Sequence, residues 1–315
     1  MRWAAYRSGA TTGADERAGL VTGDEVRGVR HTVLELLRGG DEAMTQAARE
    51  AHERPTEVLS VAELSAAGRL LAPVPQPPSV RDFMSFESHV VTALAAIGQT
   101  VDPVWYAQPV FYFTNPAAIY GPGAQVPMAP GTAMWDFELE VAAIVGREGA
   151  DLDPATAHEH IAGYTILCDW SARDLQGVEM RVGLGPAKGK DTATSLGPFL
   201  VTPDELESAR EANGFDLAMT ASVNGVPYSS GSWADLHWSF GEMLAYASRG
   251  TRLVPGDVIG SGTVGSGCIL ELARVHGADH YPWLVPGDEV CLHVDGLGDL
   301  TGRVGAGRPP RPLRD

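Results

Sequence analysis

The chain has few cysteines and no long apolar run, and each shortage excludes a class of protein. Its three cysteines are an odd number at no spacing typical of a metal site: Cys168, Cys268 and Cys291. We interpret them as small core residues in a reducing compartment. No apolar run approaches the ~20 residues that a membrane span needs, and the first residues lack the apolar core of a signal peptide. We therefore expect a cytoplasmic protein without a membrane partner.

Basic residues are also scarce. Lysine and arginine total 23 against 40 acidic residues, so the formal net charge is −17. A nucleic-acid backbone would be repelled by this field, and nucleic-acid binding is not expected. The hydrophobic share of 44% and the charged share of 20% are typical of globular proteins. A proline-rich stretch, LAPVPQPP, predicts a boundary between a small N-terminal domain, 1–72, and a larger domain, 73–315.

The most informative segment is WDFELEVAAIVG, an apolar run that predicts a strand. Glu138 and Glu140 are two residues apart, so their side chains point to the same face of that strand. Two buried carboxylates repel each other unless a cation lies between them. A second apolar strand ends at Asp169, and an upstream segment carries Asp82 with His89 seven residues later. Together these residues predict an oxygen-ligated divalent metal with a base beside it.

Polar groups follow the strand that ends at Asp169. Arg173 and Gln176 are three residues apart on a predicted helix and therefore share a face. A glycine-rich loop then carries Lys190, but its sequence departs from a nucleotide-binding loop, because Leu184 and Asp191 occupy positions where that motif requires other residues. We therefore interpret Lys190 as a cation that faces an anionic substrate or the carboxylates.

The C-terminal third carries antiparallel β signals, the strongest being the Asn224-Gly225 pair between two strand-like segments. In GDVIGSGTVG, glycines such as Gly260 and Gly262 allow the backbone to approach either a ligand or another strand. The run CILEL is interpreted as a strand that carries Glu271 among apolar residues. A glutamate in such a run requires a partner.

Several stretches together resemble the fumarylacetoacetate hydrolase family. They are RDFMSFESHV, DFELEVAAIVG, GYTILCDWSARDLQ, KGKDTATSLGPFLV and GDVIGSGTVG, and they follow the family's order between about residues 72 and 306. The resemblance implies an α+β, mostly β fold: a mixed β-sandwich roll behind a small N-terminal α+β domain. It also implies a homodimer.

The resemblance implies a site of four metal-binding carboxylates: Asp82, Glu138, Glu140 and Asp169. Mg²⁺ is the expected ion, with Ca²⁺ or Mn²⁺ as substitutes, because hard cations prefer oxygen ligands. His89 corresponds to the family's catalytic base, and Glu271 to the glutamate that orients this base in fumarylacetoacetase. Some members instead carry a second acid on the lid. Glu87 is the candidate for that role here, in which case Glu271 is structural.

The resemblance also implies a set of substrate-contacting groups: Lys190, Thr194, Arg173, Gln176, Thr263 and Tyr112. Two positions depart from fumarylacetoacetase, because Met84 and Met180 replace tyrosines. The carboxylate-binding arginine that follows the family's histidine is also missing, with Gly98 near its position. We therefore expect a less polar distal pocket, and a substrate other than fumarylacetoacetate.

These residues lead to the hypothesis of a metal-dependent hydrolase that cleaves a C–C bond in a 2,4-dioxo acid such as an acylpyruvate. His89 would activate water, and the metal would stabilise the enolate that leaves. The same site could serve a decarboxylase, or an isomerase or tautomerase of 2-oxo acids. A non-catalytic metal-binding protein of the same fold is a further alternative.

Overall fold

The structure is a computed structural model that describes residues 1–9, 15–95 and 98–314. Its strands, numbered along the chain, are β1 Arg2–Arg7, β2 Glu16–Thr22, β3 Glu25–Gly28, β4 Val58–Ser60, β5 Leu70–Leu71, β6 Val80–Phe83, β7 Phe111–Thr114, β8 Ile119–Tyr120, β9 Ala124–Pro127, β10 Trp135–Asp136, β11 Leu139–Val145, β12 Gly149–Ala150, β13 Ile161–Asp169, β14 Ser171–Ala172, β15 Thr194–Val201, β16 Arg210–Glu211, β17 Gly214–Phe215, β18 Ala218–Val223, β19 Val226–Ser232, β20 Arg252–Leu253, β21 Val258–Gly260, β22 Glu289–Val294 and β23 Gly298–Gly305. The helices are α1 Val33–Glu53, α2 Val61–Ala66, α3 Glu87–Ala95, α4 Arg173–Glu179, α5 Phe240–Ala247 and α6 Ile269–His276. Across these ranges, no helix combines the length and the apolar character that a bilayer crossing requires.

Two mixed sheets form the body of the protein. The larger has twelve strands in the order β4-β3-β2-β1-β15-β13-β11-β21-β6-β7, with β5 paired to β1 and β8 paired to β15. The smaller has the order β19-β18-β22-β23-β9. One buried cluster takes side chains from both, including Val141 and Ile166 of the larger sheet and Leu292 of the smaller. This architecture confirms the predicted α+β, mostly β fold class.

The first 72 residues contribute β1 to β5 and two helices. The long helix α1 begins with a capping box, in which Thr32 and Glu35 exchange side-chain and backbone hydrogen bonds. Gly40, at φ 73°, interrupts its helical backbone. Because β1 pairs with β15, the larger sheet includes strands from both sides of residue 72. The two-domain division stays a prediction.

Strand β11 explains why so much of WDFELEVAAIVG is apolar. Val141 and Ala143 belong to the buried cluster between the two sheets, whereas Ala142 and Ile144 pack in a second cluster that includes residues of α1. A strand covered on both faces requires apolar residues at successive positions. The carboxylate of Glu140, at the beginning of this strand, is therefore held on a rigid and completely buried support.

Neighbouring strands bring the other acidic residues to the same region. Strand β6 runs parallel to β21, with Asp82 opposite Gly260. Strand β21 is also paired with β11, and β13 lies on the other side of β11 and ends at Asp169. The central strands of one sheet therefore place carboxylates from three distant sequence segments close together.

The strand predicted for CILEL is wrong, because this segment forms the helix α6. The side chain of Asp136 accepts hydrogen bonds from the backbone N–H groups of Ile269, at 2.7 Å, and Leu270, at 3.0 Å. These are groups that the first turn of a helix cannot pair internally. The carboxylate of Asp136, which is distant in sequence, thus caps the helix. The local hydrophobic alternation of CILEL does not reveal this contact.

Candidate metal and acid–base site

Three of the four predicted metal ligands form one buried group. Asp82, Glu138 and Glu140 each offer a carboxylate oxygen, and these oxygens lie within 4.8 Å of one another. The backbone N–H of Gly262 donates to both Glu140, at 3.1 Å, and Asp82, at 3.3 Å. Asp169 is linked to this group through shared partners. The hydroxyl oxygen of Tyr112 lies 2.7 Å from Oδ2 of Asp82 and also contacts Oδ2 of Asp169, so its one proton is shared between the two carboxyl groups.

Two buried basic residues neutralise part of this negative charge. The Nζ atom of Lys190 lies 2.6 Å from Oε2 of Glu138 and 2.6 Å from Oδ2 of Asp169. Arg173 places its Nη2 atom 2.7 Å from Oε1 of Glu138, and its Nε atom donates to Asp136 at 2.8 Å. Lys190 therefore faces the carboxylates, which is one of the two roles expected from the sequence.

The pKa shifts show which carboxylates lack enough neighbouring positive charge to favour their ionised form. Burial favours the neutral acid, but Lys190 and Arg173 outweigh burial and hold the pKa of Glu138 below its usual value. At Glu140, burial and the charges of Asp82 and Glu138 raise the pKa well above its usual value. Burial is the largest cause that raises the pKa of Asp169 to about 8, although Lys190 opposes this shift.

This donor set fits a divalent cation. Oε1 of Glu140 and Oδ1 of Asp169 are buried, and neither has a hydrogen-bond partner among the residues that the structure describes. Charged oxygens in such a position require a cation or a proton. The oxygens of Asp82, Glu138, Glu140 and Asp169 are hard ligands that suit Mg²⁺, Ca²⁺ or Mn²⁺. These side chains would hold the ion, which would polarise a bound carbonyl group and stabilise negative charge on its oxygen.

A buried histidine and glutamate lie near the cluster. Nδ1 of His89, on α3, is 2.8 Å from Oε2 of Glu271, on α6, and both residues are buried. Glu87 instead is exposed and accepts a hydrogen bond of 2.6 Å from the hydroxyl of Tyr106. Of the two glutamates that the sequence left open as partners of His89, the structure therefore places Glu271 in contact with the ring.

A cavity of about 400 Å³ joins the histidine to the carboxylates. Its lining includes most of the predicted site residues: Asp82, Met84, His89, Tyr112, Glu138, Arg173, Gln176, Met180, Lys190 and Thr263. Gln176 also accepts a hydrogen bond of 3.2 Å from Arg173. Met84 and Met180 are 38% and 54% exposed, which places them toward the solvent side of the cavity. The predicted residues thus converge on one space that a small molecule could enter.

Thr194 is the predicted substrate-binding residue that the structure does not bring to this cavity. It is 1% exposed and lies opposite Asp169 in the pairing of β13 with β15. Its side-chain oxygen has no hydrogen-bond partner within the described part of the chain. Thr194 therefore lies beside Asp169 on the neighbouring strand and does not line the cavity.

Sequence reasoning missed Asp136, which is completely buried and links Arg173 to the first turn of α6. The signal was present, because Asp136 lies two residues before Glu138 and four before Glu140 along an extended segment. Its role was not predicted from the sequence, because it depends on the helix α6, where hydrophobic alternation favours a strand.

The glycine-rich segment around Gly260 approaches the carboxylate cluster closely. A Cβ atom at this position would lie 2.5 Å from Oδ1 of Asp82 and 3.2 Å from Oε2 of Glu140. Gly262 has a φ of +77°, a left-handed conformation that favours glycine. The backbone therefore approaches the carboxylate cluster itself, and the glycines provide the space for it.

Comparison with known protein families agrees with this geometry. The family model described as fumarylacetoacetate (FAA) hydrolase C-terminal matches residues 79–305. The chain belongs to this family. The matched range includes all four predicted metal ligands, His89 and Glu271.

Individual relatives in the fumarylacetoacetate hydrolase family cover most of the chain. Oxaloacetate tautomerase YisK from Bacillus subtilis is 27% identical over 294 residues, covering 89% of each protein. The human oxaloacetate tautomerase FAHD2A, mitochondrial, is 29% identical over 276 residues, covering 87% of this chain and 79% of the relative. Among solved structures, the fumarylacetoacetate hydrolase EaFAH from Exiguobacterium antarcticum matches with a TM-score of 0.70 and 28% identity, covering 97% of this chain and 99% of that one. The family thus includes both hydrolases and tautomerases.

Proposed function

We propose that this protein is a divalent-metal-dependent hydrolase that cleaves the C–C bond between the two carbonyl groups of a 2,4-dioxo acid. The observation that carries the proposal is the buried contact between His89 and Glu271, because His89 lines a cavity whose lining also includes Asp82 and Glu138 of the carboxylate cluster. Hydrolysis requires a base that removes a proton from water, whereas the bound acid requires positive charge at its carboxylate end. The two requirements correspond to two regions of this cavity.

His89 is suited to the role of the base. When Nδ1 donates its proton to Glu271, the other ring nitrogen, Nε2, carries the lone pair. Nε2 has no hydrogen-bond partner among the described residues, so it can accept a proton from water in the cavity. Glu271 would hold this tautomer and stabilise the imidazolium that forms.

The products follow from the bonds that change. Water adds to the C4 carbonyl while His89 takes its proton, and the C3–C4 bond then breaks. C4 leaves as a carboxylic acid, and the electron pair remains on C3 as the enolate of a 2-oxo acid. A proton returned to C3 completes the second product, such as pyruvate. Lys190, Gln176 and Arg173 line the cavity and would orient the oxo acid during these steps.

Tautomerisation of a 2-oxo acid is a second candidate, because two relatives that cover most of the chain are named oxaloacetate tautomerases. Such a reaction moves a proton between C3 and the enol oxygen and breaks no C–C bond. The same histidine could transfer that proton. The two candidates therefore differ in their products and share the proposed base.

Product analysis by mass spectrometry tests the proposal. Purified protein is incubated with acylpyruvates, oxaloacetate and unsaturated 2-oxo acids, in Mg²⁺ and in EDTA, alongside the His89→Gln variant. Pyruvate and a carboxylic acid that form only with Mg²⁺ and with His89 would support hydrolysis. An unchanged carbon skeleton, with accelerated enol–keto exchange of oxaloacetate, would favour the tautomerase. Cleavage that is insensitive to EDTA would contradict a metal-dependent reaction.

A further inference from the structure

A cysteine lies beside the contact between the buried histidine and glutamate. Cys268, His89 and Glu271 are all buried, and each offers one ligand atom within 4.8 Å of the others. The three atoms are a thiol sulfur, an imidazole nitrogen and a carboxylate oxygen. These residues, which we call the sulfur triad, are distinct from the four carboxylates that would hold Mg²⁺. The protein thus has two groups of potential metal ligands with different chemistry.

Two helices hold the sulfur triad in place. Cys268 directly precedes α6, and Glu271 is the third residue of that helix. Residues three apart at the start of a helix share a face, so these two side chains lie side by side. His89, on α3, packs against them, with Nδ1 at 2.8 Å from Oε2 of Glu271. The carboxylate of Asp136 fixes the first turn of α6, so the triad is supported by buried and regular structure.

The donor atoms of the sulfur triad select a different ion from the carboxylate cluster. Thiolate sulfur and imidazole nitrogen suit Zn²⁺, whereas Mg²⁺ prefers oxygen ligands alone. Three protein ligands with one open position are a common arrangement around zinc. The charge of Arg173 acts on the Cys268 thiol, but Arg173 is paired with Asp136 at 2.8 Å and with Glu138 at 2.7 Å. Its positive charge is thus compensated and opposes a cation at the triad only weakly.

We propose that the sulfur triad binds Zn²⁺ through Sγ of Cys268, Nδ1 of His89 and a carboxylate oxygen of Glu271. As the ion binds, the thiol releases its proton, and the ring proton of His89 moves from Nδ1 to Nε2. Nε2 then can no longer accept a proton from water. Zn²⁺ at the triad therefore blocks the base while Mg²⁺ stays bound, and this consequence alone rests on the proposed function.

The ion has a path to the triad. Of these three described residues, His89 is the one that lines the cavity. Its ring is 8% exposed, whereas Cys268 is completely buried. An ion that enters the cavity therefore passes the ring of His89 before it reaches the sulfur.

Cobalt provides the test, because Co²⁺ occupies zinc sites and absorbs in the near ultraviolet by charge transfer when a thiolate binds it. The full chain, saturated with Mg²⁺ and kept reduced without oxygen, is titrated with Co²⁺. A charge-transfer band should appear, saturate at about one ion per chain, and disappear when Zn²⁺ is added. Because the spectrum reports binding, a failure of the hydrolytic reaction would leave its result unaffected.

Three variants assign the ligands. Cys268→Ser should abolish the band, and Cys268→Ala is a second variant in case the serine variant does not fold. Glu271→Gln keeps the sulfur and should weaken Co²⁺ binding by at least about tenfold. Cys291→Ser, at a half-buried cysteine outside the triad, should leave both the band and the affinity unchanged.

Three results would overturn the inference. A band that persists in Cys268→Ser, or one that is lost in Cys291→Ser, would mean that another cysteine binds the ion. Absence of a charge-transfer band in the wild-type protein, even in a large excess of Co²⁺, would mean that the triad binds no such ion. In turnover assays with excess Mg²⁺, equal inhibition of wild type and Cys268→Ser by Zn²⁺ would mean that Zn²⁺ acts at the carboxylate cluster.

Discussion

Replacing Glu140 by Gln should have opposite effects on the metal-free and the metal-loaded protein. In the metal-free protein, Glu140 is completely buried, its Oε1 atom has no partner among the described residues, and Asp82 and Glu138 lie beside it. A glutamine keeps an oxygen for the N–H of Gly262, can donate a hydrogen bond to Asp82, and stays neutral beside these carboxylates without taking up a proton. Removing one unsatisfied buried group should raise the free energy of unfolding by about 1–3 kcal/mol.

In excess metal the order should reverse. Wild-type protein at a Mg²⁺ concentration about 1,000 times its Kd gains about 4.1 kcal/mol, because the ion binds only the folded state. The glutamine variant, with a weakened donor set, should gain little. For a chain of this size, each kcal/mol corresponds to roughly 1–2 °C in Tm. The assay is thermal unfolding at pH 8, in EDTA and in Mg²⁺.

The pH dependence of the metal-free protein has the same cause. The folded pKa of Asp169 is raised to about 8 and that of Glu140 is also raised, so both hold protons that the unfolded chain releases near pH 4. Wild-type stability in EDTA should therefore fall as pH rises from 5 to 8, by up to about 1.4 kcal/mol per pH unit for each such group. The loss of stability with rising pH should be smaller in Glu140→Gln.

The exposed Glu211 provides a control, since Glu211→Gln should change none of these values. The reasoning is refuted if Mg²⁺ stabilises Glu140→Gln as much as wild type. It is also refuted if the variant is less stable than wild type in EDTA at pH 8.

Three further substitutions test separate parts of the structure. His89→Gln should lower kcat by roughly 10²–10⁴-fold, the usual contribution of a general base, while Mg²⁺ affinity measured by calorimetry stays unchanged. Gly260→Ala should weaken Mg²⁺ binding by about 10–100-fold, because the new Cβ atom would lie 2.5 Å from Asp82 and displace it; unchanged affinity would contradict this. Thr32→Ala should reduce the free energy of unfolding by about 1 kcal/mol in urea titrations, because α1 loses its side-chain cap to Glu35. Equal stability would mean that the cap is replaced by water.

Much of the site could be predicted because its residues lie on strands with regular geometry. The two-residue spacing of Glu138 and Glu140 is sufficient to place both side chains on one face. Asp82 and Asp169 lie in two other predicted acidic segments, and the resemblance to a known family implies that all four carboxylates bind the metal. Local patterns could not reveal that Lys190 bridges Glu138 and Asp169. Lys190 lies 52 residues from Glu138 and 21 residues from Asp169 along the chain.

The part that could not be predicted depends on contacts between distant segments. Helix α6 forms where alternation favoured a strand, because Asp136 caps it from more than a hundred residues away. The choice between Glu87 and Glu271 as the partner of His89 required the packing of α3 against α6.

The most direct test of metal-assisted C–C hydrolysis is incorporation of oxygen from water. Protein with Mg²⁺ is incubated with 2,4-dioxoheptanoate in H₂¹⁸O, and the butanoate and pyruvate that form are analysed by mass spectrometry. Attack of water at C4 predicts one ¹⁸O atom in the carboxylate of each butanoate, with no butanoate formed in EDTA or by His89→Gln above about 1% of the wild-type rate. Full recovery of the seven-carbon acid, or butanoate that lacks ¹⁸O, would contradict hydrolysis by an activated water.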